Sequence, residues 1–479
     1  MTNLINLFIS ASRYLIVFLM VVYTVQSYTV FRRGSAAAKR YVFLRQNVSM
    51  FFMHFICFLV LFLDRPNYRI PIFYGAQVVY LLATLILFTN LYPRASRLLI
   101  NNMCMLITVG FIMITRLAFD SAVKQFKIIA VGTAVSLLIP VIVRKLMLLT
   151  KMAWAYTFVG IGLLGMVLVA SRTVNGAKLS LNIGGYAFQP SEFVKIIFVF
   201  AIAGLLCEAK DMRRIAVATA LAAVHVLILV VSRDLGSALI FFITYLVMLF
   251  AATKNPYLTL AGLLGGVVAA VIAYFLFAHI RVRVQIWLDP FADYSGTGYQ
   301  ICQSLFPIAA GGWLGTGLGQ GSPGLIPYVQ EDFMFSAIVE EFGIIFGICL
   351  ILICMSCFIM IINIAMKLSN RFYRLVALGL GTTYAVQVFL TVGGGTRLIP
   401  MTGVTLPLVS YGGSSALSTL FIFSIIQGLY MLRVDEERQD EKFTGKEPRA
   451  PGWYGPGPGP GNFPDRAGGY AGRRPDGFR

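Results

Sequence analysis

RVRVQIWLDPFADYSGTGYQICQSLFPIAAGGWLGTGLGQGSPGLIPYVQEDFMFSAIVEE, residues 281–341, interrupts an otherwise apolar chain. Most of the sequence before it reads as membrane helix. This stretch runs instead through Gly, Pro, Tyr, Gln and Asp, and apolar sequence resumes after Glu331-Asp332-Phe333. Lipid offers no partner to backbone N–H and C=O groups, so such a segment lies in water or lines a protein cavity. The carboxylate of Asp332 stands at the lip of the next helix, a position suited to chemistry on something held at a membrane surface.

Working outward from that loop, the chain is 58% hydrophobic and 12% charged, against about 25% charged in soluble domains. Apolar runs fall near 8–31, 49–63, 71–92, 101–119, 127–147, 153–171, 190–207, 214–232, 235–252, 257–279, 334–366, 373–392 and 406–432. They predict an all-α, polytopic membrane protein of about thirteen transmembrane helices. The net charge of +19 reads as anchoring of one membrane face. Nucleic acid is excluded as a partner, because no soluble basic face with interleaved aromatics is present.

Connectors holding 26 of the 39 Lys and Arg residues fall on one side, which the positive-inside rule makes cytoplasmic. The N-terminus and the 281–333 loop are then outside and the C-terminus inside. Residues 434–479 turn charged and then Gly/Pro-rich, as in PGWYGPGPGPGNF, and predict a disordered cytoplasmic tail. The seven cysteines sit in or beside apolar runs, apart from Cys302 in the loop, and read as small packing residues. His54, His225 and His279 are scattered, so no metal cluster is evident.

Four polar constellations remain. Gln189-Pro190-Ser191-Glu192-Phe193-Val194-Lys195 suits a helix start, with Glu192 and Lys195 on one face. It reads either as a structural ion pair or as a cavity wall in which Lys195 gathers an anionic headgroup. Arg233-Asp234 opens another membrane helix and reads first as a buried orienting pair. Nine glycines lie between Gly296 and Gly324. They follow no strand of a βαβ unit, so close backbone packing explains them better than a dinucleotide site. Asp332, Ser336 and Glu340 then recur every four residues, as if down one helix face, with Glu341 beside them. The last block, residues 391–415, breaks a helix with Gly, Pro and Ser. Its Arg397 suits either a phosphate or an interfacial anchor, and Ser410 lies in its Leu-Val-Ser-Tyr-Gly-Gly run.

In this order the blocks NGAK…IGGYAFQPSEFVK, DLGSA, YQICQS…GGWLGTGLG…EDFMF…EEFG and LIPMTGVTLPLVSYGGSS resemble the SEDS family of bacterial wall synthesis, the RodA, FtsW and SpoVE proteins. The likeness covers residues 101–433. Members usually have ten helices with both termini cytoplasmic. The resemblance therefore implies a 101–433 core and a three-helix extension at 1–100, which puts this N-terminus outside.

It also implies a glycosyltransferase of the bacterial cell membrane that polymerises lipid II into peptidoglycan, with a class B penicillin-binding protein as partner. Asp332 maps onto the family's Thr-Asp-Phe motif as catalytic base, with Glu331 in place of Thr. The usual Pro-Glu-x-His is Pro327-Tyr328-Val329-Gln330 here, Lys178-Leu179 replaces Arg-Trp, and Thr391 replaces Asn. Gln189, Glu192, Lys195, Arg397 and Ser410 become candidate substrate-binding residues, and Ser336, Glu340, Glu341 and Asp234 supporting ones. A divalent cation, Mg or Mn, would suit loss of a diphosphate. A lipid II flippase and a non-catalytic scaffold are the alternative functions.

Overall fold

A computed structural model describes residues 2–33, 35–145, 150–170, 181–183, 186–209 and 211–444. Among them twelve helices are long and apolar enough to cross a membrane, and Ala153–Val169 is a shorter apolar one. In chain order the helices are α1 (Thr2–Arg32), α2 (Ala36–Asp64), α3 (Arg69–Leu91), α4 (Arg97–Leu117), α5 (Phe119–Ser136), α6 (Ile139–Lys145), α7 (Ala153–Ala170) and α8 (Pro190–Cys207). There follow α9 (Met212–Val231), α10 (Leu235–Thr253), α11 (Pro256–Leu276), α12 (Ala278–Leu288), α13 (Tyr299–Gly311), α14 (Met334–Lys367), α15 (Arg371–Gly395) and α16 (Gly413–Thr444). A small antiparallel hairpin, β1 (Leu181–Ile183) and β2 (Tyr186–Phe188), precedes α8. Helix ends alternate between two faces, and the 281–333 segment, the hairpin and the 396–412 loop share one of them.

Several boundaries differ from the sequence reading. Helix α2 begins at Ala36 rather than near 49, because Ser35 caps it by accepting from Ala38 N. Lys39, Arg40 and Arg45 therefore sit on a helix rather than in a connector. The 281–333 segment is not a plain loop either: it holds most of α12, all of α13 and a 3-10 turn at Pro323–Leu325. Cys302 is buried in α13, where Ser304 Oγ donates to Gly395 O at 2.7 Å. Helix α16 continues to Thr444, past the expected end of the core at 433. Asp435 on that continuation pairs with Arg94 at 2.6 Å and Arg144 at 2.5 Å, and Arg433 pairs with Glu437. Residues 445–479 and the NGAK motif at 175–178 lie outside the described residues.

The centre of the core is α4, with every residue from Leu98 to Thr115 buried. Two of its polar positions, Asn101 and Asn102, bond side chains of the N-terminal helices. Asn102 Oδ1 accepts from Tyr23 and Ser27 of α1, and its Nδ2 donates to Ser356 of α14. Asn101 donates to Gln46 of α2, which donates to Ser27. Buried amides need such partners, so the first helices are docked by polar bonds as well as by packing.

One glycine breaks α14 and shapes the face that matters. Gly343 has φ +85°, and a Cβ there would lie 2.4 Å from Gly315 N and Trp313 O. The break frees the carbonyls of Glu340 and Glu341, which accept from Thr316 N and Gly317 N, both at 2.9 Å. The glycine-rich segment thus lies flat against α14, as close backbone packing requires.

Candidate active site

A cavity of about 860 Å³ opens on the face that carries α12 and α13. Its wall is assembled from segments far apart in sequence: the start of α5, the hairpin and Gln189, Arg233-Asp234, α12, the start of α13, Tyr328 to Asp332, and residues 397–415. Five helices, α8, α10, α13, α14 and α16, begin around it. Their N-termini bring unsatisfied N–H groups and the positive ends of helix dipoles toward one space. Five non-glycine residues among those described have positive φ: Arg233, Lys254, Tyr328, Arg397 and Leu408. Three of them line this cavity, and strain of that kind gathers at functional sites.

Asp332 lies on the wall, one turn before α14, and is partly open to the cavity while protein surrounds it. Burial pushes its carboxyl up to about 7; the negative charge of Glu331 adds to the rise and Arg283 opposes it. Glu331, also on the wall, is raised by the surrounding protein. The backbone around Asp332 is fixed by Asp332 N donating to Tyr328 O and by Tyr411 N donating to Gln330 O at 2.7 Å. That second bond ties the Asp332 turn to the loop before α16.

Gln189 and Asp234 also reach the wall. Asp234 caps α10 by accepting from Ser237 N, and accepts from Ser191 at 3.0 Å and Gln189 at 3.4 Å. Burial raises its carboxyl above the usual range, and the hydrogen bonds from Ser237 and Ser191 oppose this. Arg397 lines the cavity, but its guanidinium is engaged: Nε donates to Trp287 O at 2.9 Å and Nη2 to Leu288 O at 2.6 Å. Trp287 Nε1 donates back to Arg397 O. The residue thereby clamps α12 to the 396–412 loop while it stands on the cavity wall.

Other expected site residues lie behind the wall. Lys195 is buried, donating to Glu192 at 2.5 Å and to Gln387 at 2.7 Å. Glu192 also accepts from Ser418. Neither side chain lines the cavity, so the headgroup-gathering role expected of Lys195 does not fit. The pair acts at one remove, because Gln387 Nε2 donates to Thr405 O and Ser415 Oγ, two wall residues. Ser410 is buried off the wall and accepts from Leu406 N, closing the turn of its own loop.

Nor do Asp332, Ser336 and Glu340 form one helix face toward a substrate. Asp332 precedes the helix, Ser336 bonds Ser304, and Glu340 Oε1 accepts from Ser322 N. Glu341 pairs with Arg116 at 3.0 Å, and Arg116 also donates to Gly321 O. These three side chains fasten α13 and the glycine segment.

Sequence reasoning missed Arg283 and Lys124, which line the cavity with Arg233. Arg283 Nη1 donates to Met401 O at 3.1 Å. Lys124 ends a Ser121-Ala-Val-Lys124 run with the Ser-x-x-Lys spacing of serine transpeptidases, but it stands on the first turns of a membrane helix with no soluble domain among the described residues. Among the described residues no group of three or more His, Cys, Asp or Glu comes together to hold a metal; Glu331 and Asp332 are the adjacent carboxylates on the wall.

The FtsW/RodA/SpoVE model, described as cell cycle protein, matches residues 96–434. A peptidoglycan glycosyltransferase RodA from Mycobacterium tuberculosis is 33% identical over 363 residues, covering 70% of this chain and 77% of that one. A probable peptidoglycan glycosyltransferase FtsW from Aliivibrio salmonicida is 35% identical over 287 residues, covering 57% and 70%. A solved structure, described as structural coordination of polymerization and crosslinking by a peptidoglycan synthase complex, is 26% identical with TM-score 0.61, over 71% of this chain and 98% of that one. RodA of Thermus thermophilus, at 23% identity and TM-score 0.55, shares the fold over 71% and 97%. The match begins one residue before α4 and ends within α16, and by it this chain belongs to the FtsW/RodA/SpoVE family.

Proposed function

We propose that this chain is a peptidoglycan glycosyltransferase that polymerises lipid II on the outer face of the cell membrane, the face onto which the cavity opens. The observation that carries the reading is Asp332, a carboxyl raised to about 7 on the wall of a cavity rimmed by cations and helix N-termini. A general base works best with a pKa near the operating pH. Asp332 takes the proton of the acceptor sugar's 4-hydroxyl as that oxygen attacks the donor's anomeric carbon. The bond to the lipid diphosphate breaks on the opposite side, with inversion.

The departing diphosphate needs charge stabilisation. Arg283, Arg233 and Lys124 supply it here, with the N-terminus of α16 at Gly413-Ser414 adding backbone donors. Where a divalent cation takes part, Glu331 and Asp332 would hold it and it would neutralise the same leaving charge. A class B penicillin-binding protein is the proposed partner, since the related synthase complex couples polymerization to crosslinking.

One observation favours this reading over a flippase. The charges of the Glu192–Lys195–Gln387–Ser418 cluster behind the cavity are buried and bonded to one another rather than lining a passage of their own.

The test is polymerisation of lipid II by the purified chain with its penicillin-binding partner, read as glycan strands on a gel. Asp332→Asn should abolish product while partner binding persists. Strand synthesis by that variant would overturn the assignment of the base. Scrambling of labelled lipid II across vesicles without any strand synthesis would support the flippase instead. Localising the protein to septum or sidewall in cells separates roles in division, elongation and sporulation.

A further inference from the structure

A second cavity, about 460 Å³, lies at the face opposite the active-site cavity, where α2, α3 and α4 converge. Arg40 of α2 and Arg97 of α4 stand on its wall, with Tyr41, Leu44, Asn47 and Leu85 beside them. A smaller adjoining cavity, about 270 Å³, shares Arg40 and Arg97 and adds Lys39 and Arg94. Four cations therefore meet within two connected spaces. The nearby acid Asp435 is already engaged by Arg94 and Arg144. Neither Arg40 nor Arg97 has a hydrogen-bond or ion-pair partner among the described residues.

Two guanidiniums held on different helices make a fork-like receptor for phosphate. The rest of the wall decides what carries that phosphate. Leu44 and Leu85 are apolar, and Tyr41 and Leu44 are 62% and 60% exposed at the end of a membrane span. Asn47 lies two turns deeper than Arg40, and its Oδ1 is buried without a partner. At that depth a glycerophospholipid carries ester carbonyls, which the Asn47 amide can meet when turned to present its NH₂. A free phosphate would use the rim alone and leave the apolar wall and Asn47 unmatched.

We propose that this cavity binds one anionic glycerophospholipid, with its phosphate across Arg40 and Arg97 and its chains between α2 and α3. Because Arg40 belongs to the N-terminal helices and Arg97 to the segment matched by the family, the lipid bridges the two.

The test uses the full chain in neutral detergent, titrated with phosphatidylglycerol and read by native mass spectrometry. One phosphatidylglycerol should bind saturably, and Arg40→Gln/Arg97→Gln should weaken it at least fivefold. Those side chains are exposed, so the variant should keep its Tm in phosphatidylcholine. A control, Arg213→Gln/Arg214→Gln, removes the same charge from the same face and should leave binding unchanged. Equal weakening in the control, equal binding of phosphatidylcholine, or full displacement by equimolar inorganic phosphate would each overturn the proposal.

Discussion

Two charged groupings stand a few residues apart in space and behave oppositely. Glu192 and Lys195 are buried, paired with each other, and joined to Gln387 and Ser418. Asp332 and Arg283 face the cavity of about 860 Å³, and burial raises the Asp332 carboxyl, with the Glu331 charge adding to the rise and Arg283 opposing it only in part. The first grouping is finished and its charges are silent. The second faces open space, and in the proposed function a substrate meets it there. Ionisable side chains in a membrane protein are thus not one category: satisfaction marks scaffold, and its absence beside a cavity marks chemistry.

The sharpest way to break this contrast is to remove one half of each grouping. Lys195→Met strands Glu192 in a dry interior, where breaking a buried pair costs about 3–5 kcal/mol. Its Tm should fall steeply, and Glu192→Gln/Lys195→Met should recover part of the loss. Asp332→Asn should do the reverse, costing about 10²–10⁴-fold in polymerisation rate with no loss of fold.

The sign of its effect on stability follows from linkage. The folded protein holds the Asp332 proton up to about pH 7, whereas an unfolded Asp releases it near 4. Stability from that proton is complete below pH 4 and is lost as pH rises through 7. At pH 8 the Asn variant should therefore melt at the same temperature as the parent or higher. A fall in Tm would place Asp332 with the scaffold.

Intermediate effects sharpen the second grouping. Activity should rise with pH through about 7 as Asp332 loses its proton. Glu331→Gln removes the neighbouring negative charge and should move that midpoint to lower pH, measured as the pH profile of kcat/KM. Arg283→Gln removes the opposing cation and should move it to higher pH. The smallest effect is expected at Ser410→Ala. The hydroxyl closes a backbone turn, so stability should drop by about 1 kcal/mol with activity changed less than twofold.

Much of this was legible in the chain. The apolar runs give nearly every span, because span length is fixed by the bilayer. Asp332 stood out as a carboxylate between a polar stretch and an apolar one. Lys195 misled, since spacing of three shows that Glu192 is within reach but not whether the pair faces a cavity. Arg283 stayed hidden because its importance depends on Met401, Asp332 and the 397–403 loop coming together across more than a hundred residues. Helix α13 could have been found: Ile301, Ser304, Leu305 and Ile308 follow a helical spacing, which the surrounding Gly and Pro obscured.

The bonds around Asn102 have a consequence for how the protein is made. Three of its side-chain partners lie on both sides of it in the chain: Tyr23 and Ser27 are upstream and Ser356 is 254 residues downstream. A ribosome adding about 5–20 residues per second delivers Ser356 some tens of seconds after Asn102. During that interval the amide waits half-satisfied within the bilayer. Tyr23 and Ser27 of α1, which are already present, bond its carbonyl oxygen. The N-terminal helices thus give the span at the centre of the core its first polar partners.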